Sequence, residues 1–446
     1  MKALVEIANL PVDTGISGWG AIVSCEDEAL VLEEHHKADY LIIGAGFAGL
    51  SAARRLSQLM PNARTIVLDA KRVGEGPAGR NSGFMIDLPH ELSSRDYATT
   101  HENDCRQISL NRKAIDFAAE AAREYNLGKE AFNLCGKVNG GVTEKATRHN
   151  HDYAKHLDAL DEPYELLDAV QMKELTGSTL YQSGIYTPGT AMLQPVLYIK
   201  GLAEGLGNRV SVLENSPVVS LARENTNWVA KTPAGSVTAP KVILATNGHI
   251  ESFGHFKRRL LHVILYASMT RELTADEAAL TGQNIWGITP SDPAATTMRK
   301  INGTGGIRLI TRNRVSYAPD MKVDHRMLDD VSKTHIASFE KRYPELAHVA
   351  QEYTWAGRLC LSRNSVSAFG EIETGLFSAC CQNGLGTARG TLSGMAAAEL
   401  SCEGESDLAK AFLDEDQPKK LPPAPFDSIG AKAFMRWSEY SARNEL

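Results

Sequence analysis

The chain has 446 residues, room for about two or three domains, and its 43% hydrophobic and 23% charged content is that of a globular protein with a sizeable core. A net charge of −7 argues against nucleic acid or an anionic membrane as the main partner, because either needs a basic face, although a local basic pocket is compatible with it. No apolar run approaches the length that spans a bilayer, so no transmembrane segment is expected. The stretch Met1–Glu6 lacks a charged region followed by an apolar core, so no secretory signal is expected either. Seven cysteines (Cys25, Cys105, Cys135, Cys360, Cys380, Cys381 and Cys402) contain no C-x-x-C pair, which suggests neither a disulfide framework nor a metal site; a reducing cytoplasm is the expected location.

Residues 1–38 show no strong periodicity and read as an arm over the body, with a turn near Gly15–Gly20. Tyr40–Ile43 is a short apolar run closed by glycine, expected as a buried strand. Phe47 to Leu59 is expected as a helix stopped by Pro61-Asn62, and Thr65–Leu68 as the next strand. From about Tyr97 to Tyr125, Ile108, Ile115, Ala118, Ala122 and Tyr125 recur at near-helical spacing. Beyond Asn133, β-like runs at Cys135–Thr143 and Ser183–Pro188 alternate with helical ones, and Pro195 stands near a helix start. Val210–Val219, Trp228–Thr232 and Val237–Ala245 are expected strands, with a hairpin turn at Pro233-Ala234-Gly235. Leu260–Thr270, Gly306–Thr311 and Val315–Ala318 follow. Leu376–Cys380 then runs through Gln382–Gly386 into an Ala-rich helix to about Leu400. The pattern is a dinucleotide-binding domain in several pieces with a β-rich domain inserted between them.

Gly44-Ala45-Gly46-Phe47-Ala48-Gly49 matches G-x-G-x-x-G, follows a strand and opens a helix. The first glycine makes the tight turn, the second lets the backbone approach a pyrophosphate, and the third permits close helix–strand packing. The helix N-terminus offers N–H groups to phosphates. Asp69 closes the second strand twenty residues after Gly49, where an acid can accept hydrogen bonds from a ribose. This fingerprint alone separates neither NAD from FAD.

Five stretches separate them: the fingerprint, Gly74–Gly83 (GEGPAGRNSG), Val242–Gly248 (VILATNG), Trp355-Ala356-Gly357 and Gln382–Gly394 (QNGLGTARGTLSG). With them the chain resembles the FAD-dependent D-amino-acid-oxidase superfamily, most closely its gamma-glutamylputrescine-oxidase-like and sarcosine-oxidase-like members. The motifs run in the family's order from residue 40 to about 400. The resemblance implies an α/β protein: a Rossmann-type FAD-binding domain with an inserted β-rich substrate domain of antiparallel sheet plus helices. The expected boundaries are an arm at 1–38, an FAD domain at 39–132, 190–255 and 355–405, a substrate domain at 133–189 and 256–354, and a C-terminal extension at 406–446. FAD contacts are expected from Gly44, Ala45, Gly46, Phe47, Ala48, Gly49, Asp69, Ala70, Lys71, Gly79, Arg80, Asn81, Ser82, Gly83, Val218, Thr246, Asn247, Gly248, Gly384, Leu385, Gly386 and Thr387. The helix start after Asn383 is implied to face the flavin edge that gains negative charge on reduction. The family often has histidine where Leu385 stands and serine where Ala78 stands.

The chemistry implied is hydride transfer from a C–H beside a neutral amine nitrogen to flavin N5, then hydrolysis of the imine, with oxygen or another carrier as electron acceptor. No second strand–G-x-G-x-x-G–helix unit and no redox cysteine pair near the first helix is present, so the substrate, a small amine or amino acid, must supply the electrons. Pocket candidates are His262 and Tyr266, four residues apart on one strand, Arg308 for a carboxylate or other anion, and Trp355 and Arg358 around the Trp-x-Gly motif. His249 is expected at the surface. Cys360 falls near the cysteine that sarcosine oxidases join to the flavin, but its surroundings match poorly, so non-covalent FAD is favoured. The same residues leave two alternatives open: a dehydrogenase subunit passing electrons to a partner, and a flavoprotein without catalysis.

Overall fold

Tyr40–Ile43 lies in the middle of a six-stranded sheet, and every one of its side chains is buried. A strand covered on both faces needs a continuous apolar run, and Tyr-Leu-Ile-Ile is one. The sheet order is Val210–Leu213, Thr65–Leu68, Tyr40–Ile43, Lys241–Leu244, Leu376–Cys380 and Ala368–Glu373. All neighbours are parallel except the last pair. From Tyr40–Ile43 the chain passes to Thr65–Leu68 on one side, while Lys241–Leu244 takes the other. That reversal opens a crevice at the carboxyl ends of the strands. The helix Phe47–Leu59 has the expected bounds and packs against Ala388–Glu403, whose Gly394 lies where a Cβ would fall 2.0 Å from the Ala48 carbonyl oxygen. The computed structural model describes residues 5–23, 28–89, 100–283, 285–292 and 294–445, so Cys25 and the first residues of the helix expected from Tyr97 lie outside the described part. The described helix spans His101–Glu124, is capped by Thr100, and buries Ile108, Ile115, Ala118 and Ala122 as the spacing requires.

A second, eight-stranded sheet has the order Gln351–Ser362, Leu260–Thr270, Gly306–Tyr317, Thr297–Gly303, Trp286–Pro290, Lys137–Gly141, Ser183–Thr187 and Glu165–Asp168. It is antiparallel except where Trp286–Pro290 runs parallel to Lys137–Gly141. Four expected strands differ from the structure. Val210–Val219 stops at Leu213, because Asn215 takes φ 47° and the chain turns to bond Asp69 and Lys71 before re-entering a sheet at Ser220. Val237–Ala245 is two strands in different sheets, divided at Pro240, which has no N–H to continue a ladder. Gly306–Thr311 and Val315–Ala318 are one strand, Gly306–Tyr317, with Arg314 bulged at φ 65° between partners of Leu265 and Tyr266.

The arm is woven into the body. Val5–Glu6 and His35–Lys37 form the two edges of a five-stranded sheet whose centre is Ser220–Glu224, Asn227–Lys231 and Ser236–Ala239. Trp19, on the short helix Gly18–Ala21, is fully buried. At the other end, the helices Asp407–Leu413 and Phe426–Ser441 follow, the second lying over the strand Gly306–Tyr317. Among the described residues, no helix is long and apolar enough to cross a membrane, and no cluster of three or more His, Cys, Asp or Glu side chains could hold a metal ion.

Candidate active site

One cavity of about 1320 Å³ runs from the carboxyl ends of the parallel strands across the interior face of the eight-stranded sheet. Its first wall is the glycine turn. Gly44 has φ 107°, and a Cβ there would lie 2.6 Å from the Ala245 carbonyl oxygen, so the tight turn requires glycine. Gly46 caps the helix Phe47–Leu59 with no side-chain acceptor, and its own Cβ would meet only Ala78, at 3.5 Å. The helix N-terminus therefore opens onto the cavity with its donors uncapped and no side chain in front of them. Gly49 serves packing instead: a Cβ there would lie 1.7 Å from the Gly44 carbonyl oxygen.

Asp69 lies at the end of the adjacent strand. Its Oδ2 accepts from Ala45 N at 2.7 Å and its Oδ1 from Lys71 N at 2.9 Å. Burial raises this carboxyl to about 6, against the pull of the two N–H donors and with help from Glu214 and Glu75. Ala70, Lys71 and Val218 line the same end. Opposite, Cys381, Asn383 and Gly384 all adopt positive φ (57°, 49° and 90°), a corner that turns Gly384–Thr387 into the cavity at the start of Ala388–Glu403. Thr387 Oγ1 donates to the Phe84 carbonyl at 2.6 Å. Thr246, Asn247 and Gly248 complete this wall.

The loop Gly79–Gly83 is held from several directions. Asn81 Nδ2 donates to the Ala78 carbonyl at 2.6 Å, and its Oδ1 accepts from Gly83 N at 2.8 Å. Trp19 and Trp355 donate their indole N–H groups to the carbonyls of Asn81 and Arg80, at 2.9 and 3.1 Å. Buried Arg299 donates to the carbonyls of Ser82, Gly83 and Leu193. Arg80, Asn81 and Ser82 line the cavity, whereas Gly79 and Gly83 face backbone and Arg299 behind it.

Of the substrate-side candidates, His262, Tyr266 and Arg358 line the cavity. His262 Nε2 lies 2.5 Å from Glu251 Oε2, and the Tyr266 hydroxyl lies 2.6 Å from Ser316 Oγ. Arg308 does not line it: its guanidinium is committed to Glu352 and to the carbonyls of Gly305 and Thr270. Arg312 and Arg314, further along the same strand, do line it. Trp355 is buried behind the cavity with Gly18 against its ring. His249, expected at the surface, lines the cavity, and burial beside Arg358 and His262 lowers its ring to about 4. Cys360 is wholly buried and does not line the cavity; its thiol donates to Asn247 Oδ1 at 3.1 Å, and hydrogen bonding with Cys381 together with burial pushes it well up.

Asp13, on the arm, is a site residue with no sequence signal. Its carboxylate lies 2.8 Å from Arg358, 3.1 Å from Lys71 and 3.7 Å from Arg80. Burial would raise its pKa, but the three cations outweigh burial and hold it below 3.8. Among the described residues, Arg358 Nε and Thr14 Oγ1 are buried without a hydrogen-bond partner, so polar capacity remains beside the cavity. The C-terminal helix also contributes, with Met435, Ser438 and Glu439 on the far wall.

A parallel sheet with its crevice at the switch point, a glycine turn opening a helix, and an acid on the next strand define a dinucleotide-cofactor protein whose cavity extends beyond the cofactor crevice. The family model for FAD dependent oxidoreductases (DAO) matches residues 39–400, and the chain belongs to that family. The uncapped helix, the open face of Gly46 and the acid at Asp69 suit a diphosphate joined to a ribose. The chain is 27% identical over 383 residues to the probable oxidoreductase OrdL of Haemophilus influenzae, covering 82% of this chain and 84% of that one. It is 24% identical over 410 residues to gamma-glutamylputrescine oxidoreductase of Escherichia coli, covering 89% of each. Among solved structures, glycine oxidase from Geobacillus kaustophilus superposes with a TM-score of 0.70 at 16% identity, over 87% of this chain and all of that one. L-proline dehydrogenase from P. horikoshii gives 0.64 at 17% identity, over 84% and 95%.

Proposed function

We propose that this FAD-dependent oxidoreductase oxidises the C–N bond of an amine or amino acid. The observation that carries the reading is the continuity of one cavity, from the Gly46 turn to Arg312, with more volume than the roughly 300–1,000 Å³ of a single small-molecule site. When bound, FAD would supply the hydride acceptor for the C–H beside the amine nitrogen. Gly44–Ala48, Asp69–Lys71, Arg80–Ser82, Val218, Thr246–Gly248 and Gly384–Thr387 hold it without a covalent bond, while Gly49, Gly79 and Gly83 shape the turns behind it. Residues near 39–132, 190–255 and 355–405 form its domain, and 133–189 and 256–354 the substrate domain.

Arg312, which lines the cavity where Arg308 does not, fits a substrate carboxylate or comparable anion. His262 and Tyr266 form the wall between that end and the glycine corner. The burial and the Arg358 cation that keep His249 neutral at physiological pH disfavour a further positive charge nearby, so an amine held there is more readily unprotonated. The work of the chain is to orient the C–H and to keep that nitrogen neutral. The test is anaerobic mixing of the FAD-loaded protein with a panel of primary, secondary and N-methyl amines and amino acids. Loss of flavin absorbance with at least one class is expected; an unchanged spectrum throughout would refute the reading. Oxygen uptake with peroxide release, measured on the same substrates, identifies the acceptor.

A further inference from the structure

The helix Phe426–Ser441 is turned inside out. An amphipathic helix on a soluble protein normally buries its apolar stripe. Here Met435 is the buried residue, while Phe426, Ile429, Phe434, Trp437 and Tyr440 are between 59% and 66% exposed. At 100° per residue, Phe426, Ile429, Trp437 and Tyr440 fall within one narrow outward sector, with Phe434 beside it. Five large apolar side chains on one convex face make a contiguous patch of the kind that marks an interaction site.

The charges identify the partner. Lys432 and Arg436, one turn apart, border the stripe on one side and are exposed, and Arg443 stacks over the Tyr440 ring at 4.0 Å. Of the acids of this segment, Asp427 is half-buried on the side of the helix away from Lys432 and Arg436, Glu439 lies 2.9 Å from Arg314 beneath the helix, and Glu445 is buried against Thr143. A protein of net charge −7 thus presents a basic, aromatic ridge at this one helix. A second copy does not suit it. An antiparallel pairing of two such helices about Ala433 would bring the Lys432 and Arg436 of both copies together, with no exposed carboxylate to separate them. Aromatic residues over a basic flank match a bilayer surface, where rings sit at the headgroup level and cations meet anionic lipid.

We infer that this helix docks the enzyme peripherally on an anionic lipid surface. The helix is fixed to the body, since Arg342 donates to the Glu445 carbonyl at 2.9 Å and Lys341 to that of Asn444 at 2.6 Å, so docking needs no rearrangement. Because Phe434 and Trp437 also line the cavity, the docked enzyme turns the mouth of its cavity to the lipid.

The test is co-sedimentation of the FAD-loaded protein with vesicles of phosphatidylglycerol and phosphatidylcholine, and with phosphatidylcholine alone. Binding to the mixed vesicles is expected, weakening as salt is raised. Lys432→Gln with Arg436→Gln lowers the affinity about 25-fold, at about fivefold for each cation lost. Ile429→Asp, a residue outside the cavity lining, abolishes binding while flavin content and thermal stability stay at the parent level. Three results would overturn the inference: no binding to the anionic vesicles, binding unchanged in both variants, or sedimentation equilibrium showing a dimer that Ile429→Asp dissociates, which would assign the face to a second copy.

Discussion

Replacing Asp13 by asparagine keeps its shape and removes one charge from a site where three cations converge. The side chains of Asp13, Arg80 and Arg358 are only 2–6% exposed, so water cannot take over for the lost carboxylate. At separations of about 3–4 Å and an effective dielectric near 20, each contact has a gross attraction of roughly 4–5 kcal/mol. Most of that offsets the cost of burying the ions, and removing one partner of a buried cluster costs a net of about 3–5 kcal/mol. Asparagine still offers an oxygen to Arg358, so the expected loss is near the lower end, about 3 kcal/mol. Urea unfolding followed by tryptophan fluorescence measures it, with buried Trp19 on the same arm as a reporter. In an Arg358→Gln background the same substitution should cost less than half as much, because the pair is coupled. A loss under about 1 kcal/mol, the value of an exposed pair, would refute the reasoning. The pH dependence carries its own sign. Asp13 is held below its usual 3.8, so its stabilisation is complete above that pH and disappears as the pH falls through the lower folded-state value.

Three further outcomes are expected. Gly46→Val should fold with the parent's circular dichroism and melting behaviour but lose FAD binding, since its side chain enters the cavity, whereas Gly49→Ala should fail to fold, its Cβ falling 1.7 Å from a carbonyl oxygen; a yellow Gly46→Val protein contradicts the placement of the diphosphate. His335 is fully buried, and burial lowers its ring from 6.5 to about 4, so the unfolded chain binds more protons in that window and stability rises with pH across it. His335→Asn should flatten that slope by up to about 1.4 kcal/mol per pH unit, and an unchanged slope would show that the ring is not the titrating group. Acid precipitation of the FAD-loaded protein should leave the flavin fluorescence in the supernatant; fluorescence in the pellet would show a covalent flavin bond, at Cys360 or at another residue.

What could be read from the residue order was local. Tyr40–Ile43, Phe47–Leu59 and Leu376–Cys380 each combine apolar residues with a glycine or proline at the boundary, Thr65–Leu68 is an apolar run between polar residues, and the structure places all four at those residues. The breaks within Val210–Val219 and Val237–Ala245 were less legible, because both halves remain apolar while the chain changes sheets. Pro240 was the available signal for one; Asn215, at φ 47°, was a weak signal for the other. The bulge at Arg314 is set by pairing across the sheet and leaves no trace in the residue pattern. The site residues divide the same way. Those in glycine motifs were nameable, and most line the cavity. Asp13, His249, Arg299 and the C-terminal helix were not, because their roles come from partners far away in the chain: Arg299 acts on Ser82, and Asp13 on Arg358.

The arm also fixes an order of events during biosynthesis. Val12 and Arg358 are bonded across a separation of 346 residues, and Val5–Glu6 needs Ser220–Glu224 as its neighbour. The arm is made before its partners, so on the ribosome it stays unpaired, edge strand and all, until Arg358 has emerged.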